Sequence, residues 1–459
     1  MWVHHSASPL VSDQQKSPRA PKGRPEATLP PRGILADRVR GTIHGLSAGQ
    51  HEKPVNEGAY SLGMEAVRKE ALAARDALAL LTEERVDIAL ARTVELLEER
   101  ADEILAANAQ DVSAGGLDEG ALDRLRLDER RLSAIAGGVR ATRALPPIER
   151  GLRTWTLANG LVVSERLIPV GVVGANFEAR PNVAVDVASQ VLKSGNAVVL
   201  RTGAAALATV TALVDRVLRP ALEDAGDAVG LVRVPEHAGA EALVSMPDLL
   251  PLVILRGSGA STAALARVAA EHGVRALAHA EGGGVLYAHR AADRVKLDAL
   301  VRASLDRLGV CNRLNLALAD TAELAKAIAA VCRALGIAVA GELPPGREWA
   351  NEPARISTIT LRLVDGVDDA VRVANEETSG LAAAIVTEDG AAAERFLDGY
   401  RGTAAFWNAP TRFADGFELL GTPETGINVD RVPGPRGPVT YRDLCLRQYR
   451  VVGDGTQHR

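Results

Sequence analysis

Cys311, one of three cysteines in the chain, lies in a segment whose residue types suit a reactive thiol. A helical pattern spans residues 296–308 and a strand-like run spans 314–319, so a tight helix-to-strand turn is predicted between them. Such a turn exposes the sulfur and backbone N–H groups to one ligand, as catalysis by a thiolate requires. Taken alone, the segment fits a buried, unreactive cysteine better, because free cysteines are commonly small core residues.

Two glycine-rich segments also have the composition of ligand-binding turns. Residues 256–261, Arg-Gly-Ser-Gly-Ala-Ser, follow a predicted strand and open a predicted helix. Their N–H groups are able to hold a phosphate, although the same pattern is also an ordinary helix N-cap. Residues 282–284 are three glycines after His279, which indicates close backbone packing or a ligand touching the main chain. No G-x-G-x-x-G or Walker A sequence occurs, and the histidines lack metal-ligand spacing, so no metal site is predicted.

The composition of the chain favours a cytoplasmic globular protein. Its 459 residues are 47% hydrophobic and 24% charged, and the formal net charge of −5 gives no reason to expect nucleic acid as a partner. Three cysteines without a C-x-x-C pair argue against a disulfide framework or a structural zinc site. No apolar run has membrane-spanning length, and the N-terminus lacks a signal-peptide core, so no membrane association is predicted.

The hydrophobic pattern changes several times along the chain. Residues 1–63 are rich in proline and lack apolar periodicity, which predicts a disordered tail, and the first good helical pattern begins at Met64. Between residues 152 and 167, two strand-like runs flank Asn159-Gly160, a strong signal for a β-hairpin. Residues 170–287 and 297–408 alternate apolar strands with helices, and the part beyond 408 is irregular until a predicted strand at 449–452.

The two alternating parts predict parallel sheets covered by helices on both faces, and therefore an α/β fold. Ligands of such sheets bind at the carboxyl ends of the strands. The predicted strands and the helices between the first of them are as follows: strands at 170–175, 197–201, 230–234, 252–255, 276–279, 285–287, 314–319, 356–363, 383–387 and 404–407; helices at 183–192, 206–222, 240–246 and 261–272.

Several motifs, in the same order along the chain, resemble those of the gamma-glutamyl phosphate reductase family within the aldehyde dehydrogenase superfamily. The segments are I-P-V-G-V-V-G at 168–174, E-A-R-P-N at 178–182, L-K-S-G-N at 192–196, C-N at 311–312, A-I-V-T-E-D at 384–389 and R-F-A-D-G at 412–416. The second and last of these segments are specific to the family and are not general to the fold. With further matches A-A-N-A-Q-D-V at 106–112 and R-G-P-V at 436–439, the resemblance covers roughly residue 64 to the C-terminus.

The resemblance implies an aldehyde dehydrogenase-like fold with two doubly wound parallel-sheet domains and a β-hairpin oligomerisation arm. An NAD(P)-binding domain is then expected at 64–282, with the arm near 152–167, and a catalytic cysteine domain at 283–407. Residues 408–459 are expected to return to the cofactor domain and the arm. The expected assembly is a homodimer or homotetramer, and glutamate 5-kinase is the expected upstream enzyme.

The resemblance also implies the reduction of an acyl phosphate by NADPH to an aldehyde, with release of phosphate. Cys311 is then the nucleophile, and the Asn182 amide helps to stabilise the oxyanion. The remaining family positions divide into two groups: Arg201, Gly257, Ser258, Gly259 and Glu352 for the cofactor, and Arg180, Asn312 and Arg412 for the substrate.

Three alternatives remain open from the sequence. Glu281 stands where hydrolytic aldehyde dehydrogenases carry the carboxylate that activates water, so a hydrolytic enzyme is the first. A diverged paralogue that acts on another amino-acid acyl phosphate is the second, because Ala204-Ala205, Asn315-Leu316 and Leu381 stand where the family usually has charged, hydroxyl or imidazole side chains. A binding or subunit partner without catalytic activity is the third.

Overall fold

The computed structural model of the chain describes residues 57–117, 119–257, 259–279, 282–341, 356–431 and 434–458. All of them belong to one compact unit, Val55–Arg459. The helices are α1 Glu57–Ala77, α2 Glu83–Glu99, α3 Ala101–Ser113, α4 Glu119–Leu125, α5 Glu129–Ala144, α6 Pro181–Lys193, α7 Leu207–Leu213, α8 Arg219–Leu222, α9 His237–Leu243, α10 Gly259–His272, α11 Arg294–Ser304, α12 Ala322–Ala334, α13 Gly366–Glu376, α14 Gly390–Gly399 and α15 Gly416–Leu420.

The strands form two larger parallel sheets and two small antiparallel ones. They are β1 Gly151–Thr156, β2 Val162–Pro169, β3 Val172–Phe177, β4 Ala197–Thr202, β5 Val229–Val232, β6 Leu252–Arg256, β7 Arg275–His279, β8 Gly284–Ala288, β9 Leu314–Ala319, β10 Ala338–Ala340, β11 Thr358–Leu363, β12 Ala382–Val386, β13 Ala404–Trp407, β14 Gly426–Asn428, β15 Gly437–Val439 and β16 Cys445–Val452. The predicted α/β class with parallel sheets is confirmed.

The first parallel sheet has the strand order β5-β4-β3-β6-β7. Every residue of β3, β4 and β5 is buried, as expected for apolar strands with helices on both faces. The order reverses between β3 and β6, so the connections that follow these two neighbouring strands leave in opposite directions. A crevice forms at such a point, outside the carboxyl ends of the strands. Residues just after β3 and β6 are therefore brought together there.

The second parallel sheet has the order β10-β11-β9-β8-β12-β13. His279 ends β7 in the first sheet, and Gly284 begins β8 in the second. A connection of only a few residues thus joins the carboxyl edge of the first sheet to the amino edge of the second. Cys311 lies just before β9, at that same amino edge. This arrangement places the thiol next to the ligand-binding edge of the first sheet.

The hairpin predicted around Asn159-Gly160 is formed by β1 and β2, and β16 completes its three-stranded antiparallel sheet. Gly160 has φ +86°, as the tight turn requires. Several large apolar side chains of this sheet and its turn are exposed, namely Leu152, Leu157, Val162, Leu446, Tyr449, Val451 and Val452. A role in oligomerisation stays a prediction.

The structure differs from the sequence predictions at several elements. Helix α1 begins at Glu57, so residues 57–63, assigned to the tail, are helical. The helix predicted at 206–222 is present, but its centre, residues 214–218, forms a π-turn ahead of Pro220. Proline lacks the N–H that would continue the helical hydrogen bonds, which explains the irregularity. Strand β16 is longer than the strand predicted at 449–452. Across the described residues, no helix has both the length and the apolar character needed to cross a membrane.

Candidate active site

A cavity of about 780 Å³ lies between the carboxyl edge of the first parallel sheet and the turn that bears Cys311. The structure brings six of the predicted site residues to its wall: Arg180, Asn182, Gly257, Cys311, Asn312 and Arg412. Three other residues of the predicted chemistry, Ser258, Glu281 and Glu352, lie outside the described residues. Predicted catalytic and substrate-binding residues from distant parts of the sequence thus share one cavity.

Cys311 occupies the predicted turn between α11 and β9 and is half-buried. The backbone of the glycine segment holds this turn, because the Gly283 N–H donates to the Cys311 carbonyl oxygen at 2.5 Å. A Cβ on Gly282 would lie 2.6 Å from that oxygen and 2.7 Å from the Cys311 Cβ. The glycines after His279 therefore serve close packing of main chain against the cysteine, one of the two interpretations of this segment.

Asn312 and Arg412 form a connected pair beside the thiol. The Asn312 side chain is buried and donates to the carbonyl oxygens of Arg412 and Ala414, at 3.0 and 3.2 Å. Arg412 donates to the Asn312 side-chain oxygen and, at 2.7 Å, to Asp306. Asn312 is thus committed to holding the loop that carries Arg412, which favours a positioning role for Asn312 over direct contact with substrate.

Asn182 lies in the first turn of α6, at the edge of the cavity. Its side-chain amide donates to the Asp186 carboxylate at 2.9 Å, one helical turn later. Burial raises the pKa of Asp186, and the hydrogen bond from Asn182 and the charge of Arg256 oppose that shift. One N–H of the amide is therefore fixed by Asp186, which orients the side chain at the helix N-terminus, where negative charge is favoured.

Arg201 was predicted to lie near the cofactor, but it does not line the cavity. The residue is 5% exposed, and its guanidinium donates to Asn176 at 3.0 Å and to the carbonyl oxygens of Pro235 and Glu236 at 2.5 and 2.8 Å. These contacts join β3, β4 and the loop after β5. Because protein oxygens accept these hydrogen bonds from the guanidinium, the contacts favour a structural role for Arg201.

The cavity is strongly cationic. Within the described residues seven arginines line it, against four carboxyl groups, so it suits an anionic ligand. The arginines are Arg124, Arg126, Arg131, Arg180, Arg256, Arg307 and Arg412, and the acids are Asp123, Asp186, Asp415 and Glu424. No motif or spacing in the sequence assigned Arg256 to the substrate or Glu424 to the site. Only the order of strands in the sheet and the return of the C-terminal segment bring them there.

His279 also lines the cavity, and it is neutral at physiological pH. Burial and the neighbouring charges of Arg256 and Arg180 lower its pKa to about 4. Its ring Nδ1 lies 2.9 Å from the Ile427 carbonyl oxygen and 3.0 Å from the Ile427 nitrogen. The side chain therefore connects the C-terminal segment to the end of β7.

Glu424 has a pKa raised to about 7, because it is buried and faces Asp415, while Arg256 and the Gly416 N–H oppose the shift. Its ordinary pKa is 4.5, so its ionisation is expected to destabilise the fold increasingly between pH 4.5 and 7 and by a constant amount above pH 7. We expect Glu424→Gln to raise Tm at pH 8 and the difference to shrink as the pH falls toward 4.5. Thermal melts of both proteins between pH 5 and 8 test this; a difference independent of pH would contradict it.

The fold and the cysteine-bearing turn define the class of the protein as one with an aldehyde dehydrogenase fold. An acetylating aldehyde dehydrogenase from Geobacillus thermoglucosidasius superposes with a TM-score of 0.64 over 87% of this chain and 99% of that one, at 16% identity. The crystal structure of gamma-glutamyl phosphate reductase from Thermotoga maritima superposes with a TM-score of 0.79 over 86% of this chain and all of that one, at 26% identity.

The curated relatives identify the family within this class. Gamma-glutamyl phosphate reductase of Clavibacter michiganensis is 38% identical over 415 residues, which are 85% of this chain and 94% of that protein. The chain therefore belongs to the gamma-glutamyl phosphate reductase family, and the family predicted from the motifs is confirmed. No family model matches the chain.

Proposed function

We propose that the protein catalyses the NADPH-dependent reduction of L-glutamyl 5-phosphate to L-glutamate 5-semialdehyde with release of phosphate, in proline biosynthesis. The observation that carries the proposal is the position of Cys311 in the wall of an arginine-lined cavity, in a chain of this family. An acyl phosphate needs a nucleophile at its carbonyl carbon and cations around its phosphate. The cavity offers both.

The residues of this chain perform the first half of the reaction. The Cys311 sulfur attacks the acyl carbon, the carbon–oxygen bond to phosphate breaks, and a thioester remains on the enzyme. The backbone N–H groups of the turn and the Asn182 amide, oriented by Asp186, are suited to stabilise the oxyanion. Burial and two neighbouring arginines lower the pKa of Arg180 to about 10, and the charge of Cys311 opposes that shift. Arg180 and Cys311 therefore lie close enough to interact electrostatically in the same cavity wall.

The carboxyl edge of the first sheet fits a nicotinamide cofactor. A Cβ on Gly257 would lie 3.2 Å from the Glu178 carboxyl carbon and 3.2 Å from the Thr262 hydroxyl, so the main chain here stays open only with glycine. Gly257 and Gly259, at the start of α10, would hold the pyrophosphate. We propose the same role for Ser258, and we propose that Glu352 contacts the nicotinamide ribose. When bound, NADPH supplies the hydride that reduces the thioester. Cys311 then leaves as a thiolate when the aldehyde is released.

A diverged paralogue acting on another amino-acid acyl phosphate is the second candidate, and the position of Leu381 favours it. Leu381 is fully buried and belongs to the apolar cluster of Ala382, Ala414 and Ile427 against which Cys311 packs. A departure from the family pattern thus lies in the core cluster against which the nucleophile packs, where an altered side chain changes the packing around Cys311.

The proposed function is tested in the reverse direction with NADP⁺, phosphate and a panel of semialdehydes. We expect glutamate semialdehyde to give the highest kcat/KM, and NADP⁺ to be used in preference to NAD⁺. A higher kcat/KM for another amino-acid semialdehyde would favour the paralogue. Absence of NADP⁺ and NAD⁺ reduction with every member of the panel would overturn the proposal and favour a role without catalysis.

The partners proposed from the family are a second copy of the chain, in a homodimer or homotetramer, and glutamate 5-kinase as the source of the acyl phosphate. The exposed apolar side chains of the sheet formed by β1, β2 and β16 support self-association through that sheet.

A further inference from the structure

Arg180 and Arg256 are brought side by side by the strand order of the first sheet. Arg256 is the last residue of β6 and pairs in register with Phe177, the last residue of the neighbouring β3. Arg180 follows three residues after Phe177, at the N-cap of α6. Both arginines line the cavity that contains Cys311. They therefore lie at the point where the strand order reverses, the place where α/β sheets bind ligands.

The positive charge of this pair is only partly offset by the protein. Among the described residues, neither guanidinium lies within ion-pair distance of a carboxylate, and the Arg256 Nε is buried without a hydrogen-bond partner. Burial and the charges of Arg256 and Arg124 lower the pKa of Arg180 to about 10. Two like charges held together in a partly dry site destabilise the free protein unless an anion lies between them.

The nearby acids offset the charge of the pair only in part. Glu178 attracts Arg180 electrostatically, and its carboxylate accepts a hydrogen bond from the Ser261 hydroxyl at 2.9 Å. Asp186 and Glu424 interact electrostatically with Arg256, but burial raises the pKa of both carboxyl groups, and that of Glu424 reaches about 7. Each is hydrogen-bonded elsewhere, Asp186 to the Asn182 amide and Glu424 to the Gly416 N–H. The pair therefore presents its N–H groups to the cavity, next to a helix N-terminus that also favours negative charge.

We propose that Arg180 and Arg256 together form the subsite for the phosphate group of the acyl-phosphate substrate, with Arg124 on its more exposed side. This inference rests on the proposed function. It assigns Arg256, the first residue of the 256–261 segment, to the phosphate group of the substrate. The segment follows a strand and opens a helix, as a cofactor-phosphate loop does. In this assignment its first residue faces the substrate, and the glycines that follow face the cofactor.

The subsite binds the phosphate group as it leaves the acyl carbon. As the bond between the Cys311 sulfur and the acyl carbon forms, the bond from that carbon to the phosphate oxygen breaks. The thiol proton ends on the departing group, which leaves as hydrogen phosphate with two negative charges. Arg180 and Arg256 balance those charges, so they stabilise the transition state as charge accumulates on the leaving oxygen. In the reverse reaction they hold inorganic phosphate for attack on the thioester.

Steady-state kinetics of the reverse reaction, with inorganic phosphate varied at saturating glutamate semialdehyde and NADP⁺, test the proposal. Arg256→Gln and Arg180→Gln are each expected to raise the KM for phosphate roughly 10- to 100-fold, the loss expected for one charge-assisted hydrogen bond. The KM values for semialdehyde and NADP⁺ are expected to change less than about threefold. Arg256→Lys, which keeps the charge but loses the forked donor geometry, should lie between wild type and Arg256→Gln.

The matched control is Arg275→Gln, which removes the same charge at the amino end of β7, where Arg275 pairs with Asp430 at 3.3 Å. Its KM for phosphate should stay near the wild-type value. If Arg256→Gln instead raised the KM for NADP⁺ alone, the pair would belong to the cofactor site. If it raised only the KM for semialdehyde, the pair would bind the substrate carboxylate. Either result overturns the proposal.

A binding measurement separates failure of the subsite from failure of the proposed function. Inorganic phosphate is expected to raise Tm of the wild-type chain relative to chloride at equal ionic strength, and to raise Tm of Arg256→Gln much less. A wild type that reduces no NADP⁺ yet shows this difference would sink the proposed reaction and leave the anion subsite standing. Equal phosphate stabilisation of wild type and Arg256→Gln would overturn the subsite, whatever the activity.

Discussion

Replacing Cys311 by alanine is expected to lower the rate of semialdehyde turnover by about 10⁴-fold or more, because no other group can form the thioester. The side chain is half-buried, and alanine fits the same turn, so Tm should change little. NADP⁺ binding, measured by fluorescence or calorimetry, should stay within about threefold of wild type. Turnover near the wild-type rate in this variant would contradict the covalent mechanism.

The other two cysteines are matched controls for this experiment. Cys332 is fully buried on the core-facing side of α12, and burial raises the pKa of its thiol to about 11, so it is unreactive at neutral pH. Cys445 begins β16, beside Arg150, and burial raises the pKa of its thiol as well. Cys332→Ala is expected to lower Tm by removing buried volume. Both single variants should keep the wild-type kcat.

Gly282→Ala is expected to reduce kcat by roughly 100-fold, although the glycine performs no chemistry. The new methyl group would lie 2.6 to 2.8 Å from the oxygen, Cβ and Cα of Cys311, all of which belong to the turn that carries the thiol. The turn must therefore move, and a displacement of about 1 Å at a reacting group costs on the order of 10² in rate. Steady-state kinetics and a thermal melt of the same preparation separate loss of positioning from loss of folding.

Gly137→Ala is the control for the added methyl group. Gly137 lies inside α5, and a Cβ added to it would meet no atom of a neighbouring element within 4 Å. Alanine there should raise the stability by about 0.5–1 kcal/mol, because it lowers the entropy of the unfolded chain without a clash. Its kcat should match the wild type. A Gly282→Ala enzyme with wild-type kcat would show that the turn does not depend on the glycine contact.

Local patterns predicted most of the fold, since they depend on short-range physics. Largely apolar runs such as β4 and β9 lie buried on both faces of a parallel sheet, and each was predicted within a residue or two of its ends. The Asn159-Gly160 dipeptide predicted the hairpin, because its residues accept the backbone angles of a tight turn. Motif resemblance then predicted the residues around Cys311 that line the cavity.

The roles that sequence reasoning missed all depend on contacts between distant parts of the chain. Arg201 matches a family position, but only the fold shows that Asn176 and two carbonyl oxygens of the loop after β5 satisfy its guanidinium. Glu424 enters the cavity because the C-terminal segment returns to the first sheet through His279 and Ile427. Hydrophobic periodicity and motif spacing do not predict contacts between residues so far apart in the chain.

The departures from the family pattern also differ in what they affect. Leu316 is 1% exposed within β9, so a threonine there would bury a hydroxyl group in the core and lower stability. Asn315 is 4% exposed, and its side-chain oxygen is buried without a hydrogen-bond partner. Ala204 is exposed just after β4, and Ala205 beside it is half-buried, so both accept polar side chains more readily. Restoring family residues is therefore expected to be tolerated at 204–205 and harmful at 315–316.

The most direct test of the central claim is NADPH formation from glutamate semialdehyde and NADP⁺ with phosphate omitted. Because the thioester on Cys311 then lacks its acceptor, the account predicts a burst of about one NADPH per chain, followed by little further formation until phosphate is added. Steady formation at the full rate without phosphate, with glutamate as the product, would contradict the account. The enzyme would then be a hydrolytic aldehyde dehydrogenase in which Glu281 activates water.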